Sequence, residues 1–364
     1  MKFVYIIPLF LLIYLGGCMQ NPPVVQDGNG TLELKALWNK SLDATPDLAP
    51  LQNAKVILSS QYGIQVYYTG SDGYLRLSHL PSANYNISVK GIHPDDPTII
   101  LVASKRGLNI GSGQTCTYTD TAKPVSNSGI AINEIYSAGP VNNIFYFYDL
   151  FIELFNSSDS VKYLDGMQVM RVSGTNNGTY GPGADWYNNG RMQGVIYIYK
   201  FPGRAGEKNY PFNPKQFLVL AGDAVDHRKA VSTSIDLSHA DWEFYNQYMA
   251  ADIDNPNVPN LINLISSNTT KFLISLSSDI VALGSGVDTV WTDGVDISTI
   301  VDAVQYRSNM SLPKTLDDRL DRGMVQSPPR YSGKSIQRKE PGMDTNDGYL
   351  DWEILSAPTP GRQY

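Results

Sequence analysis

The sequence predicts a mainly β protein: two immunoglobulin-like β-sandwich domains in tandem, the second with long loop insertions and a short helix. Three observations predict it. Apolar and polar residues alternate at a period of two in short stretches, the mark of half-buried strands. Gly, Asn, Asp and Pro punctuate those stretches at short intervals. Tyrosine is abundant, at 23 residues, and charged residues make up only 17%, a mix that suits sheets, where aromatic and β-branched side chains pack across strands.

The amino end reads as an export signal. Lys2 precedes an apolar run, residues 3–15, interrupted by Pro8. That run is shorter than the roughly 20 residues a membrane-spanning helix needs, and it fits the apolar region of a signal peptide. The run closes on Leu15-Gly16-Gly17-Cys18, which resembles the bacterial lipobox. The resemblance implies removal of residues 1–17 and lipidation of Cys18. Residues 18–30 are polar and rich in Pro and Gly, so they form a tether with too little apolar surface to fold. The expected address is a membrane outside the cytoplasm, the outer membrane, with the folded part displayed at the surface. Of the two cysteines, only Cys116 then remains, and it is expected as a half-buried strand residue. The net charge is −7 with no basic run, which excludes nucleic acid as a main partner.

Residues 31–123 form the expected first domain. Thr31-Leu32-Glu33-Leu34-Lys35-Ala36-Leu37-Trp38 alternates strictly. Residues 54–58, 64–69, 74–77 and 85–90 follow as strands, with a Ser71-Asp72-Gly73 turn and a Leu80-Pro81 break. Ala54-x-Val56-x-Leu58, Asp72-Gly73-Tyr74-Leu75-x-Leu77, Leu80-Pro81 and Tyr85-x-Ile87-x-Val89 together resemble the carboxypeptidase-regulatory-like, transthyretin-like fold. That resemblance implies a stalk or docking module without catalytic residues.

Residues 117–128 read as a linker, and the second domain is expected over 124–364. It opens with Ile130-Ala131-Ile132-Asn133-Glu134-Ile135-Tyr136, followed by Phe151-Ile152-Glu153-Leu154-Phe155-Asn156 and Leu164-Asp165-Gly166-Met167-Gln168-Val169. It closes with Ser335-Ile336-Gln337-Arg338-Lys339, Asp351-Trp352 and Thr359-Pro360-Gly361. This order resembles the lamin-tail domain, an immunoglobulin-like sandwich. The pairing of modules is similar to a family of bacterial surface lipoproteins, which implies architecture and location but no activity. The domain is much longer than the about 100 residues such a sandwich needs. The excess falls at 175–194, 204–214 and 223–270. Residues 240–249 are expected as a helix, with Ser238 as its cap.

No nucleophile elbow, phosphate loop, zincin helix or paired Cys-x-x-Cys is present. The four histidines, His79, His93, His227 and His239, show no metal-ligand spacing. Glu134 and Glu153 lie on adjacent signature strands, and the expectation is that both hold a loop or strand edge through backbone hydrogen bonds. Asp344, Asn346, Asp347 and Asp351 offer hard oxygen ligands of the kind calcium takes, although the spacing is one residue short of the EF-hand form. Asp288, Asp293 and Asp296 form a second acidic patch. Tyr180, Trp186 and Tyr187 in the long loop, with Trp242 and Tyr245 on the expected helix, are the candidate ligand-binding residues, because aromatic faces stack on sugars or anchor protein partners. Phe244 and Tyr248 accompany them. The resulting expectation is a binding or structural lipoprotein rather than an enzyme. Its partner would be an outer-membrane uptake receptor, another envelope protein or a glycan. The alternative is an envelope hydrolase with an acidic or metal-bound site in the inserted loops.

Overall fold

The computed structural model describes residues 28–40, 46–95, 99–126, 129–141, 145–173 and 190–364. The expected signal peptide, Cys18, most of the tether, and Tyr180, Trp186 and Tyr187 lie outside the described residues. The chain is mainly β, built of several sheets. No helix among the described residues is long and apolar enough to cross a membrane.

Eight strands form the first part: β1 (Gly30–Asn39), β2 (Leu48–Pro50), β3 (Lys55–Ser60), β4 (Gly63–Tyr68), β5 (Tyr74–Leu80), β6 (Ala83–Ile92), β7 (Ile99–Ile110) and β8 (Thr115–Ser126). Their alternation sorts the side chains. Leu32, Leu34, Ala36 and Trp38 of β1 point inward, as do Val56 and Leu58 of β3 and Tyr85, Ile87 and Val89 of β6. Tyr85 is buried but donates its hydroxyl to the Pro81 carbonyl at 2.6 Å, so no polar atom is stranded. Gly73 closes the Asp-Gly turn at φ +72°, where a Cβ would sit 2.5 Å from the Ala36 carbonyl oxygen. Cys116 is half-buried on β8, against the core.

These strands make one sheet in the order β2-β1-β8-β7-β6-β3-β4, with β5 also paired to β1. The sheet curls into a half-barrel. The reason lies at β7 and β8, which pair only where Ile99–Val102 meets Lys123–Ser126. Beyond that corner β7 follows β6, and β8 runs parallel to β1.

The second part holds two six-stranded sheets that share one core. Its strands are β9 (Ile130–Tyr136), β10 (Phe151–Asn156), β11 (Lys162–Tyr163), β12 (Gln168–Val172), β13 (Arg191–Met192), β14 (Val195–Lys200), β15 (Pro211–Phe212), β16 (Phe217–Ala221), β17 (Trp242–Glu243), β18 (Ile262–Asn263), β19 (Ser278–Gly284), β20 (Val295–Asp296), β21 (Ile300–Arg307), β22 (Val325–Gln326), β23 (Ile336–Arg338) and β24 (Trp352–Ile354). One sheet runs β17-β16-β10-β9-β23-β24 and the other β18-β14-β12-β19-β21-β22. Ile132, Ile152, Leu154 and Leu220 from the first share the core with Val169, Tyr199, Val281 and Val304 from the second.

The helix expected over 240–249 does not form. Trp242 and Glu243 instead make β17, parallel to β16, with Trp242 opposite Leu220. Trp242 and Phe244, two residues apart, both enter the core. Glu243 between them accepts the N–H groups of Ala224 at 2.7 Å and Asn255 at 3.0 Å. Asp241 accepts the Val219 N–H at 2.8 Å, and the Ser238 hydroxyl donates to Asp236 rather than capping a helix. The one α-helical turn among the described residues is α1 (Gly348–Asp351), capped by Asp347.

Arg338, fully buried on β23, joins the two sheets. Its Nη2 donates to both carboxylate oxygens of Asp302 on β21, at 3.1 and 2.8 Å, and its Nε donates to the Ile132 carbonyl at 2.8 Å. Its Nη1 faces Asp351 at 3.5 Å and Asp344 at 3.7 Å, while its guanidinium lies 5.1 Å from the Trp352 ring centre. The turn that this cation gathers then meets the first part of the chain. Arg106 of β7 pairs with Asp347 at 3.3 Å and lies over Tyr349, Arg322 pairs with Asp120 of β8 at 3.6 Å, and Lys90 donates to the Asp344 carbonyl at 3.3 Å. Gly323 is needed here, because a Cβ would lie 2.2 Å from Asp347 Oδ1.

Glu134 and Glu153 clamp the carboxyl-terminal segment. Glu134 accepts the Thr359 N–H at 2.9 Å, the Thr359 hydroxyl at 2.8 Å and the Gln337 amide at 2.9 Å. Glu153 accepts the Gly361 N–H at 2.6 Å and the Asn133 amide at 3.0 Å. Burial pushes both carboxyls up, Glu153 to about 8 despite the Asn133 bond.

Two outcomes are expected. Arg338→Met strands Asp302 in the core and should cost about 3–5 kcal/mol in chemical denaturation; a loss below about 1 kcal/mol would mean that the cation joins nothing. The folded chain keeps the Glu153 proton from the unfolded carboxyl's 4.5 up to about 8. The stability this contributes is present at low pH and is lost as pH rises through that window. Relative to Glu153→Gln, wild-type stability should therefore fall between about pH 5 and 8, by at most ~1.4 kcal/mol per pH unit; parallel profiles would contradict this.

Candidate functional site

At one end of the second part, four stretches distant in sequence converge: 145–149 ahead of β10, 223–234 after β16, 245–252 after β17, and 268–271. Phe145-Tyr146-Phe147-Tyr148 is a run of aromatics with no alternation, so it cannot bury every ring in one sheet face. Asp149 ends the run and is buried. It accepts the Tyr136 hydroxyl at 3.1 Å and the Ser234 hydroxyl at 2.5 Å. Burial, only partly offset by those bonds, raises its pKa.

His227 is buried beside it, on a short 3₁₀ turn capped by Asp226. Its Nε2 lies 3.0 Å from the Asp223 carbonyl oxygen and its Nδ1 lies 2.6 Å from the Tyr146 hydroxyl. A carbonyl only accepts, so Nε2 carries the proton and Nδ1 accepts from Tyr146. Burial lowers the His227 pKa and keeps the ring neutral. The ring therefore positions Tyr146.

Lys271 is the cation of the site. Its ammonium donates to both oxygens of Asp223 at 2.8 and 2.7 Å, meets Asp252 Oδ1 at 3.0 Å, and lies 5.6 Å from the Tyr148 ring centre. Burial opposes this charge, but Asp223 and Asp252 outweigh it and raise the Lys271 pKa. Asp252 Oδ2 accepts the Asn246 N–H at 2.8 Å, and the Asn246 amide donates to the carbonyls of Asn268 and Thr270. The charged groups are thus satisfied within the protein. The open surface is aromatic: Phe145 is 80% exposed, Tyr248 43% and Tyr148 37%. Ring faces held on a cross-bonded base can stack on a sugar or an apolar side chain.

The expected site residues fall in different places. Trp242 lies in the core, edge-on to Phe201 and Tyr210 at 5.1 and 5.4 Å, and Phe244 stacks on Phe272 at 3.9 Å. Tyr245 is half-buried and Tyr248 exposed, on the loop that reaches Lys271 through Asn246 and Asp252. Asp344, Asn346, Asp347 and Asp351 are far from this end, at the junction with the first part. Asp351 accepts the Thr345 N–H and hydroxyl, Asp344 accepts the Asn346 N–H, and the Asn346 amide donates to the Asp318 carbonyl. Arg338 is the cation beside Asp344 and Asp351, and Arg106 is the cation beside Asp347. The second acidic patch also surrounds an arginine: Arg191 meets Asp288 at 3.0 Å and Asp293 at 3.4 Å, while Asp296 turns to Ser298. Among the described residues, no group of three or more His, Cys, Asp or Glu could hold a metal ion. The residues missed from sequence are Phe145, Tyr148, Asp223, Asp252 and Lys271; the unbroken aromatic run was the signal available.

The two aromatic classes should separate on truncation. Trp242→Ala should cost about 3–5 kcal/mol of stability, and Tyr248→Ala should stay within about 0.5 kcal/mol. Similar losses in thermal or chemical unfolding would contradict the assignment.

The sequence profile of DUF4876, a protein family of unknown function, matches residues 213–293, a span that contains Asp223, His227, Asp252 and Lys271. The crystal structure of a DUF4876 family protein from Bacteroides thetaiotaomicron matches with a TM-score of 0.55 at 19% identity, covering 89% of this chain and 94% of that one. GBS52, the minor pilin of Streptococcus agalactiae, matches with a TM-score of 0.20 at 19% identity, over 27% of this chain and 45% of its own. No curated protein sequence matches the chain. The chain is therefore similar in fold, over most of its length, to a DUF4876 protein.

Proposed function

We propose that this chain is a membrane-anchored envelope lipoprotein that acts by binding, through the aromatic end of its second domain. The observation that carries this reading is the exposure of Phe145, Tyr148 and Tyr248 on segments that meet at a base whose ions are already paired. Exposed aromatic groups on a rigid base lose little entropy on contact and dominate binding energy where they are buried. Leu15-Gly16-Gly17-Cys18 supports the anchor; the outer membrane is the proposed address. In this reading the first domain, transthyretin-like, is a spacer, and the second is an immunoglobulin-like, lamin-tail-like sandwich whose long connections make the contact face. The Arg106–Asp347 and Arg322–Asp120 pairs support a fixed presentation of one domain by the other. The partner is an envelope protein, such as an uptake receptor, or a surface glycan.

Two tests bear on it. Protease added to intact cells should degrade the protein; full resistance, with digestion only after lysis, would place it on an inner face. In pull-downs from envelope extracts, Phe145→Ala with Tyr148→Ala should reduce partner recovery about tenfold or more, as expected for losing one to two hot-spot rings. Equal recovery by wild type and the double variant, both folded, would refute this face.

A further inference from the structure

Lys271 meets two carboxylates inside the protein rather than one at its surface. The Lys271 side chain is 19% exposed, Asp223 13% and Asp252 2%. The ammonium nitrogen touches both Asp223 oxygens, at 2.8 and 2.7 Å, so it is centred on that carboxyl group. Asp252 is held differently: Oδ2 takes the Asn246 N–H, and Oδ1 faces the ammonium at 3.0 Å. The walls are aromatic. Phe272, the residue after Lys271, stacks on Phe244, and Tyr199 stands edge-on to these rings at 5.5 and 5.3 Å. The Tyr199 hydroxyl is buried with no hydrogen-bond partner among the described residues, and burial, then the Asp252 charge, raises its pKa. Ions kept in such walls are held against a cost in lost hydration.

We propose that Lys271 and Asp223 condense to an amide, a covalent cross-link between their side chains, with Asp252 carrying the protons. An ammonium and a carboxylate give an amide and one water, so no further reagent is needed. Asp252 takes one ammonium proton and passes it to Asp223, whose carboxyl is already pushed up by burial. The freed amine lone pair then closes the C–N bond on the Asp223 carboxyl carbon, once that group turns about Cβ–Cγ to present its face. The second nitrogen proton travels through Asp252 to the departing oxygen, the C–O bond breaks, and water leaves. Asp252 ends as the carboxylate it began as. In bulk water the loss of two solvated ions opposes this reaction. Here the ions are largely stripped of water, and fixed reactants reach effective molarities of about 10⁵–10⁸ M. Asp223 is the acyl partner because both of its oxygens face the amine and its greater exposure lets the water out. Asp252 cannot turn in the same way, since Asn246 holds one of its oxygens. The bond closes the insertion between Asp223 and Lys271, which carries Tyr248, into a covalent loop.

Peptide mapping of the purified full chain by mass spectrometry tests this. Trypsin cuts after Lys and Arg, but not after an acylated lysine. Residues 216–228 should therefore appear joined to residues 230–307, one water lighter than the two peptides together, with fragmentation placing the branch at Asp223. Lys271→Arg should give no joined peptide. In Asp252→Asn, which keeps an oxygen for the Asn246 N–H, linkage should form about a hundredfold more slowly, as expected for losing the proton carrier. Circular dichroism checks that each variant is folded, and the wild-type map decides the matter if either is not. Separate peptides cut at Lys271 as the sole product of folded wild type would overturn the proposal. So would a branch at Asp252, or linkage in Asp252→Asn at the wild-type rate. Because the mass reports the bond itself, these outcomes are independent of binding at Phe145 and Tyr148.

Discussion

A guanidinium removed from water must be met by anions and acceptors, and the junction between the two sheets of the second part of the chain is arranged around that requirement at Arg338. The demand is met from three directions: Asp302 of the facing sheet, the Ile132 carbonyl of the neighbouring strand, and the acidic turn that holds Asp344 and Asp351. Meeting it fixes the spacing of the sheets and folds the turn. The turn in turn directs Asp347 outward to Arg106 of the first part. Removing one member of such a cluster is costly because the others remain buried with unbalanced charge.

The same logic recurs in the other polar clusters. Arg191 sits among Asp288 and Asp293, Lys271 between Asp223 and Asp252, and the two buried glutamates hold the carboxyl-terminal segment. Each is a clamp that converts distant segments into one rigid piece. What remains on the surface near Lys271 is aromatic. A base stiffened by internal ion pairs and rings that stay exposed is a combination suited to recognition, where preorganisation lowers the entropy lost on association.

Much of the β architecture was legible because alternation reports a half-buried face directly. Leu32, Leu34, Ala36 and Trp38 sort themselves by period alone, and Gly73 marks its turn by a conformation other residues resist. The role of Glu134 and Glu153 was legible too, as carboxylates that hold backbone. The expected helix at 240–249 failed for a definite reason. Trp242, Tyr245 and Met249 are spaced as on a helix face, but Trp242 and Phe244 are also spaced as on a strand, and pairing with Leu220 decides between them. The acidic stretch at 344–351 has the composition of an ion loop; that the cation is Arg338 depends on how β23 folds back. Lys271 and its two aspartates lie about 20 and 50 residues apart in sequence, so no spacing rule could join them. The half-barrel curl depends on the parallel pairing of β1 with β8, a contact that no local pattern encodes.

The most direct test of the central claim is hydroxyl-radical footprinting of the protein in intact envelopes compared with the purified chain. Contact through the aromatic end predicts that oxidation of Phe145 and Tyr148 falls several-fold in the envelope, while the buried Trp242 and Phe244 stay unreactive in both. Unchanged reactivity at Phe145 and Tyr148, with protection elsewhere on residues 129–364, would contradict it.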